Sequence, residues 1–93
     1  MRETEGMTDN TIQYLVLDRR DPDANMARFY VLSIEESLFG DASLIREWGR
    51  IGTKGQRRVE LHESTSRAAE ALETWLRRKQ RRGYRIRSAP TSS

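Results

Sequence analysis

The 93-residue chain contains no cysteine and only one histidine, His62. Without cysteine the chain has no disulfide, no thiolate metal ligand and no cysteine nucleophile. A single histidine does not build a zinc site by itself, so His62 is predicted to be a surface residue of a strand. No Ser/His/Asp set and no supported pair of carboxylates indicates catalysis. The sequence therefore predicts a protein that is not an enzyme and that uses no cofactor and no metal.

Long hydrophobic runs are also absent. No apolar stretch approaches the roughly 20 residues of a membrane-spanning helix, and the N-terminus lacks the apolar segment of a signal peptide. A cytoplasmic location with no membrane partner is therefore expected. Hydrophobic residues make up 35% of the chain and charged residues 33%. This balance and length predict a single domain with a modest core and a highly charged surface.

Charge is distributed unevenly along the chain. Residues 1–47 contain 5 Lys+Arg and 10 Asp+Glu, whereas residues 48–93 contain 12 and 4. The basic excess is densest at 77–87, where seven of eleven residues are Lys or Arg and none is acidic. The dipole of a helix explains one or two basic residues at its C-terminal end, but not seven. Such a cluster is typical of a surface that contacts the phosphate groups of a nucleic acid or another polyanion.

Hydrophobic periodicity predicts four strands followed by one helix, which is an α+β arrangement. The predicted strands are 11–17, 27–34, 43–51 and 56–62, and residues 84–86 either form a short fifth strand or close over the sheet. The helix is expected to begin after a cap at Ser64, with Thr65 and Ser66 as alternative caps, and to end at Gly83. One apolar stripe along it favours packing on one face of a small antiparallel sheet of four to five strands.

The remaining segments are predicted as loops and tails. Residues 18–26 are charged and contain Pro22, so we expect a loop there. In the turn at 35–41, Leu38 and Phe39 are expected to pack under the sheet edge. The ordered domain is predicted at 11–87, between disordered tails at 1–10 and 88–93.

The third predicted strand carries an unusual set of side chains. Because side chains alternate faces along a strand, Arg46, Trp48 and Arg50 share one face and Gly49 lies on the other. An indole between two guanidinium groups suits stacking and phosphate binding. An alternative to this interpretation remains open for each of two residues. Trp48 packs in the core instead of binding a partner, and Arg50 forms an ion pair with Glu47 or Glu35 instead of binding phosphate.

The run Trp48-Gly49-Arg50-Ile51-Gly52, followed by Gly55-Gln56, resembles the signature of the WGR domain family. The resemblance extends over about residues 13–84. It implies an antiparallel sheet with a helix on one side. In eukaryotic poly(ADP-ribose) polymerases such a domain contacts DNA near strand breaks and passes the signal to a separate catalytic domain. Bacterial relatives carry the domain fused to others or alone, and this chain resembles the stand-alone kind.

These patterns together predict a non-enzymatic nucleic-acid-binding module that binds DNA ends or strand breaks, with a possible role in DNA repair. Trp48 would stack on a sugar or an exposed base, while arginine and lysine side chains hold phosphates. An alternative is an adaptor that docks on a separately encoded protein. The predicted nucleic-acid-binding residues are Trp48, Gly49, Arg50, Arg46, Lys54, Gln56, Arg57, Arg58, Arg81, Arg82, Tyr84 and Arg85.

Overall fold

A computed structural model describes residues 10–88, which form a five-stranded antiparallel sheet with one helix packed on it. This architecture confirms the α+β prediction. The strand order across the sheet is β4-β3-β2-β1-β5. The elements are β1 (Asn10–Asp21), a short 3-10 turn (Pro22–Ala24), β2 (Met26–Glu36), β3 (Ala42–Arg50), β4 (Gln56–His62), α1 (Thr65–Arg81) and β5 (Arg85–Ser88).

The predicted tails, 1–10 and 88–93, lie outside the described residues, except that Asn10 begins β1 and Ser88 ends β5. Of the two alternatives for residues 84–86, the structure shows the strand: β5 covers Arg85–Ser88 and pairs with β1. No helix within residues 10–88 is long and apolar enough to cross a membrane.

The predicted loop at 18–26 is wrong for most of its length, because β1 continues to Asp21. Asp18, Arg19 and Arg20 pair with β2 across an unbroken ladder. Charged side chains are tolerated here because they project to solvent or pair with each other, as Arg20 does with Asp18 at 3.2 Å. The turn is therefore only four residues long. It closes at Asn25, which has a left-handed backbone with φ of 54°.

The core lies between the sheet and α1. Alternation along each strand sends apolar side chains to this face, which we call the helix-side face, and the helix contributes small and branched residues against them. Burying this surface supplies most of the stability of such a small domain. The buried core residues are Leu15, Leu17, Tyr30, Leu32, Ile34, Ala42, Leu44, Ala68 and Leu72.

Both predicted ends of the helix are confirmed. The Ser64 hydroxyl accepts a hydrogen bond from the Arg67 N–H at 3.2 Å, which satisfies one of the free donors of the first turn. At the other end Gly83 has a φ of 100°. There the Gly83 N–H donates to Gln80 and the Tyr84 N–H donates to Lys79, both at 3.0 Å, which is the Schellman pattern. The chain therefore reverses sharply and returns as β5.

The expectation that Leu38 and Phe39 pack under the sheet edge is wrong. Their exposed fractions are 80% and 92%. The turn between β2 and β3 is closed by a backbone bond from the Ser37 N–H to the Asp41 carbonyl at 3.0 Å, and the Phe39 N–H donates to the Ser37 hydroxyl. These bonds hold the tip of the turn away from the sheet, so both apolar side chains face solvent.

The turn between β3 and β4 depends on two glycines that approach each other closely. A Cβ atom added to Gly49 would lie 2.7 Å from the Gly55 Cα, and one added to Gly55 would lie 2.2 Å from the Trp48 carbonyl oxygen. The Phe29 ring closes over both positions. Real Cβ atoms do not approach backbone so closely, and Gly55 also has a φ of 74°. Only glycine fits this crossing.

We expect Gly55→Ala to lower the free energy of unfolding by about 3 kcal/mol or more, because a backbone clash adds to the left-handed strain. Gly52→Ala is the matched control. Gly52 also has a positive φ, 97°, but has open space around its Cβ position, so only strain of about 1–2 kcal/mol applies. Urea unfolding followed by circular dichroism measures both changes. Equal losses in the two variants would contradict the clash.

Candidate nucleic-acid interface

The register of the sheet sorts the predicted site residues onto its two faces. Residues directly opposite each other in neighbouring strands project to the same side. Trp48 is opposite Tyr30 and Gln56, and Arg46 is opposite Arg58, so all of these belong to the helix-side face.

Arg46 does not lie on an open surface, and the prediction that its guanidinium is free for phosphate is wrong. Arg46 is only 8% exposed, because α1 covers this part of the sheet. One terminal nitrogen donates to the Tyr30 hydroxyl at 3.2 Å and the other to Glu60 at 3.1 Å. Its central carbon lies 3.9 Å from the Trp75 ring centroid. The charge is thus compensated internally by a carboxylate and by an aromatic face.

Trp48 is half-buried, so it is neither fully packed in the core nor fully exposed. Its ring is stacked beside the buried Tyr30 ring at a centroid distance of 5.9 Å, and the Arg46 guanidinium lies 5.5 Å from its centroid. One part of the indole therefore belongs to the core boundary. The other part remains accessible at the edge of the helix-side face.

Tyr84 connects the basic end of the helix to Trp48. Its ring meets the Tyr30 ring edge-on at a centroid distance of 6.0 Å, so Tyr30 contacts both aromatic residues. The Lys79 ammonium lies 4.5 Å from the Tyr30 centroid and 5.7 Å from that of Tyr84. Burial lowers the pKa of Lys79, and the nearby Arg82 and Arg46 act in the same direction. The helix end and the Trp48 strand are thus joined through the buried Tyr30 ring, with Trp48 on one side of it and Tyr84 on the other.

The Tyr30 hydroxyl, buried beneath Trp48 and Tyr84, stays neutral. Burial raises the pKa of Tyr30, although the hydrogen bond and positive charge of Arg46 act in the opposite direction. A neutral phenol accepts the Arg46 N–H without competing with Glu60 for the charge. Tyr30 therefore holds the guanidinium in place without neutralising it.

Arg50 lies at the exposed end of β3 on the helix-side face. The ion pair considered with Glu47 is not formed, because Glu47 projects to the other face and pairs with Arg57 at 3.4 Å. The alternative ion pair with Glu35 is not formed either, and within residues 10–88 Arg50 has no carboxylate partner. It borders a cavity of about 190 Å³ that is also lined by Arg28 and by the turn residues Ala24, Asn25, Met26 and Ala27.

Three of the predicted residues lie on the opposite side of the sheet. Gly49 faces Gly55 and the Phe29 ring there, and so serves the turn. Arg57 is opposite Glu47. Arg85 is opposite Asp18 at the far edge. The structure therefore does not bring these three to the surface that carries Trp48.

The other predicted residues are exposed and remain accessible. Lys54 lies in the turn after Arg50, while Gln56 and Arg58 follow on the helix-side face of β4. Arg81 and Arg82 end the helix. His62 is partly buried beside Glu60, with its Nε2 atom 3.6 Å from the carboxylate. Among the described residues there is no group of three or more His, Cys, Asp or Glu side chains that could hold a metal ion.

Sequence reasoning missed two arginines on this surface. Arg19 is opposite Arg28 in the β1–β2 ladder, and Arg28 is opposite Arg50 in the β2–β3 ladder. All three belong to the helix-side face at the same end of the sheet. The alternation that places Leu15 and Leu17 inside would also have placed Arg19 there, had β1 been extended past Leu17.

Two comparisons relate the chain to known proteins. Residues 14–91 match the WGR domain family. A Sinorhizobium fredii (strain NBRC 101917 / NGR234) protein, named "Uncharacterized protein y4dW", is 51% identical over 73 residues. The aligned part covers 78% of this chain and 36% of that protein. The chain thus spans little more than a third of the length of this relative.

We expect Arg46→Met to lower the free energy of unfolding by about 2–3 kcal/mol, because it leaves Glu60 without its partner and removes the cation from the Trp75 ring. The figure lies at the low end for a buried pair because the Glu60 side chain is 33% exposed. Arg58→Met is the matched control, since Arg58 is opposite Arg46 but exposed, and a change under about 0.5 kcal/mol is expected. Urea unfolding measures both. A stable Arg46→Met variant would show that Arg46 is not needed for the fold.

Proposed function

Because the chain belongs to the WGR domain family, whose members are in general nucleic-acid-binding domains, we propose that it is a non-enzymatic DNA-binding module. The observation that carries the proposal is the joined surface of Trp48, Tyr84 and exposed cations on the helix-side face. Aromatic rings beside arginine and lysine side chains are the groups that hold bases or sugars and phosphates.

The distribution of charge on this face supports the proposal. At the end of the sheet that carries Arg50, the helix-side row of Arg19, Arg28 and Arg50 is wholly basic. Asp21 in the next row accepts a hydrogen bond from the Ala24 N–H at 3.4 Å, and Glu60, three rows away in the other direction, is paired with Arg46. Lys54, Arg81 and Arg82 add exposed charge around the same end. Phosphate contacts of this kind supply affinity without reading sequence. We therefore expect little sequence preference.

The half-buried state of Trp48 favours an exposed end or strand break as the target. Its accessible edge is small and rigid, because the rest of the indole packs on Tyr30. A rigid aromatic edge suits a sugar or a terminal base that is already unstacked, since opening an intact duplex would cost several kcal/mol. A role in DNA repair is consistent with such a target.

The test is fluorescence anisotropy with a nicked duplex and an intact duplex, each at about 50 mM and about 200 mM salt. We expect tighter binding to the nicked duplex and steep weakening with salt, because counterions are released on binding. Arg50→Gln should weaken binding by about tenfold, since it removes a phosphate contact from the proposed surface. Arg57→Gln removes the same charge from the other face and should change binding far less.

Two outcomes would contradict the proposal. Equal effects of Arg50→Gln and Arg57→Gln would reduce binding to nonspecific attraction by net charge. Absence of binding to either duplex at the lower salt concentration would remove the DNA-binding function itself.

A second candidate function is docking on a separately encoded protein, which the solvent-facing Leu38 and Phe39 favour. Exposed large apolar side chains at a turn are typical contacts for a partner. Such binding should survive about 0.5 M salt, unlike binding to DNA. We expect a partner of this kind to be retained by the wild type and lost from Leu38→Ser/Phe39→Ser in affinity capture at that salt. Retention by both would exclude this turn as the contact.

A further inference from the structure

Arg19, Arg28 and Arg50 form a row across three neighbouring strands, which we call the arginine row. Each pair in the row is directly opposite in the register, Arg19 with Arg28 and Arg28 with Arg50. Neighbouring strands lie about 4.8 Å apart, so the row spans about 10 Å of the sheet. The family signature includes only Arg50, and the basic run at 77–87 contains neither Arg19 nor Arg28.

This arrangement is unfavourable for the isolated protein. Like charges directly opposite each other destabilise a sheet. Within the part of the chain that the structure describes, no carboxylate forms an ion pair with any of the three arginines. Asp21, one row beyond Arg19 on the same face, accepts a hydrogen bond from the Ala24 N–H, and Asp18 is engaged by Arg20 and Arg87 on the other face, at 3.2 and 3.4 Å. The folded domain therefore carries a repulsion at this end of the sheet that an anion would relieve.

The surroundings of the row have room for an anion. Arg28 and Arg50 flank the cavity of about 190 Å³ beside the turn between β1 and β2. Arg19 lies against the end of the helix, where its Nε atom is 3.3 Å from the Cβ position of Gly83. The row thus begins next to Tyr84 and ends at the strand that carries Trp48. Guanidinium groups are the side chains best suited to phosphate oxygens.

From these observations we infer that Arg19 and Arg28 act with Arg50 as a single clamp for the phosphate groups of one nucleic-acid strand. The inference rests on the proposed DNA-binding function and assigns two of its binding residues. The clamp orients the strand across β1, β2 and β3, so that the nucleotide next to the held phosphates meets Trp48 on one side and Tyr84 on the other. Binding of the strand relieves the repulsion within the row.

The first test compares the double variant Arg19→Gln/Arg28→Gln with a matched double variant, Arg57→Gln/Arg67→Gln. Both lose two positive charges, but Arg57 lies on the other face and Arg67 in the first turn of the helix. Anisotropy with the nicked duplex is measured between about 50 and 200 mM salt. We expect the first variant to lose at least about tenfold in affinity and to reduce the slope of log K against log salt by about two. The matched variant should keep its slope within about 0.5 of the wild type.

The outcomes separate the two proposals. A wild type that does not bind DNA overturns both. A wild type that binds, with the two double variants behaving alike, overturns the clamp alone. Inorganic phosphate is added in a further arm at constant ionic strength. Because the clamp holds several phosphates of one strand, we expect that millimolar phosphate does not displace the duplex. Displacement would contradict the clamp and would indicate that the arginine row binds a free anion instead.

A second test uses the protein without DNA. Removing Arg28 from the centre of the row should raise the melting temperature at low salt by about 2 °C or more, because two like-charge pairs disappear. The gain should shrink in about 0.5 M salt, which screens the repulsion. A lower melting temperature of Arg28→Gln would show that Arg28 makes a stabilising contact in the protein without DNA. It would contradict the inference that the arginine row carries a repulsion that only an anion relieves.

Discussion

The buried guanidinium of Arg46 is the contact on which the geometry of this domain depends. It joins β3 to β2 through Tyr30, to β4 through Glu60 and to α1 through the Trp75 ring. A hydrophobic contact alone would let the helix slide along the sheet, whereas a charge must keep all of its partners or lose several kcal/mol. The position of the helix end, and of Tyr84 after it, follows from this constraint.

Elements and core could be predicted from the sequence because both depend on local patterns. The alternation in β2 sends Tyr30, Leu32 and Ile34 inward, and Ser64 and Gly83 end the helix for reasons of local backbone chemistry. Arg46 shows the limit. Strand alternation predicts the face on which Arg46 lies. Whether its guanidinium is exposed or buried depends on Glu60 and Trp75, which are fourteen and twenty-nine residues further along the chain. Partners at that distance leave no local pattern.

The candidate surface was only half predictable for a related reason. The positions of basic residues in the sequence do not show how the strands are paired. The observed pairing places Arg57 and Arg85 on the face opposite to Trp48, and it places Arg19 and Arg28 on the same face as Trp48. The charged run at Asp18–Asp21 was predicted as a loop from composition. Continuous pairing with β2 outweighs composition there, because each added residue closes ladder hydrogen bonds at little cost to side chains that already face water.

The pairing of β5 with β1 also decides where the described chain enters and leaves the sheet. Asn10 starts β1 beside Glu36, and β5 runs antiparallel to β1 from Arg85 towards Ser88, so both ends point towards the turn that carries Leu38 and Phe39. The arginine row lies at the opposite end. Within residues 10–88, the first and last strand residues are therefore directed away from the basic end, and neither end of the described chain passes over the arginine row.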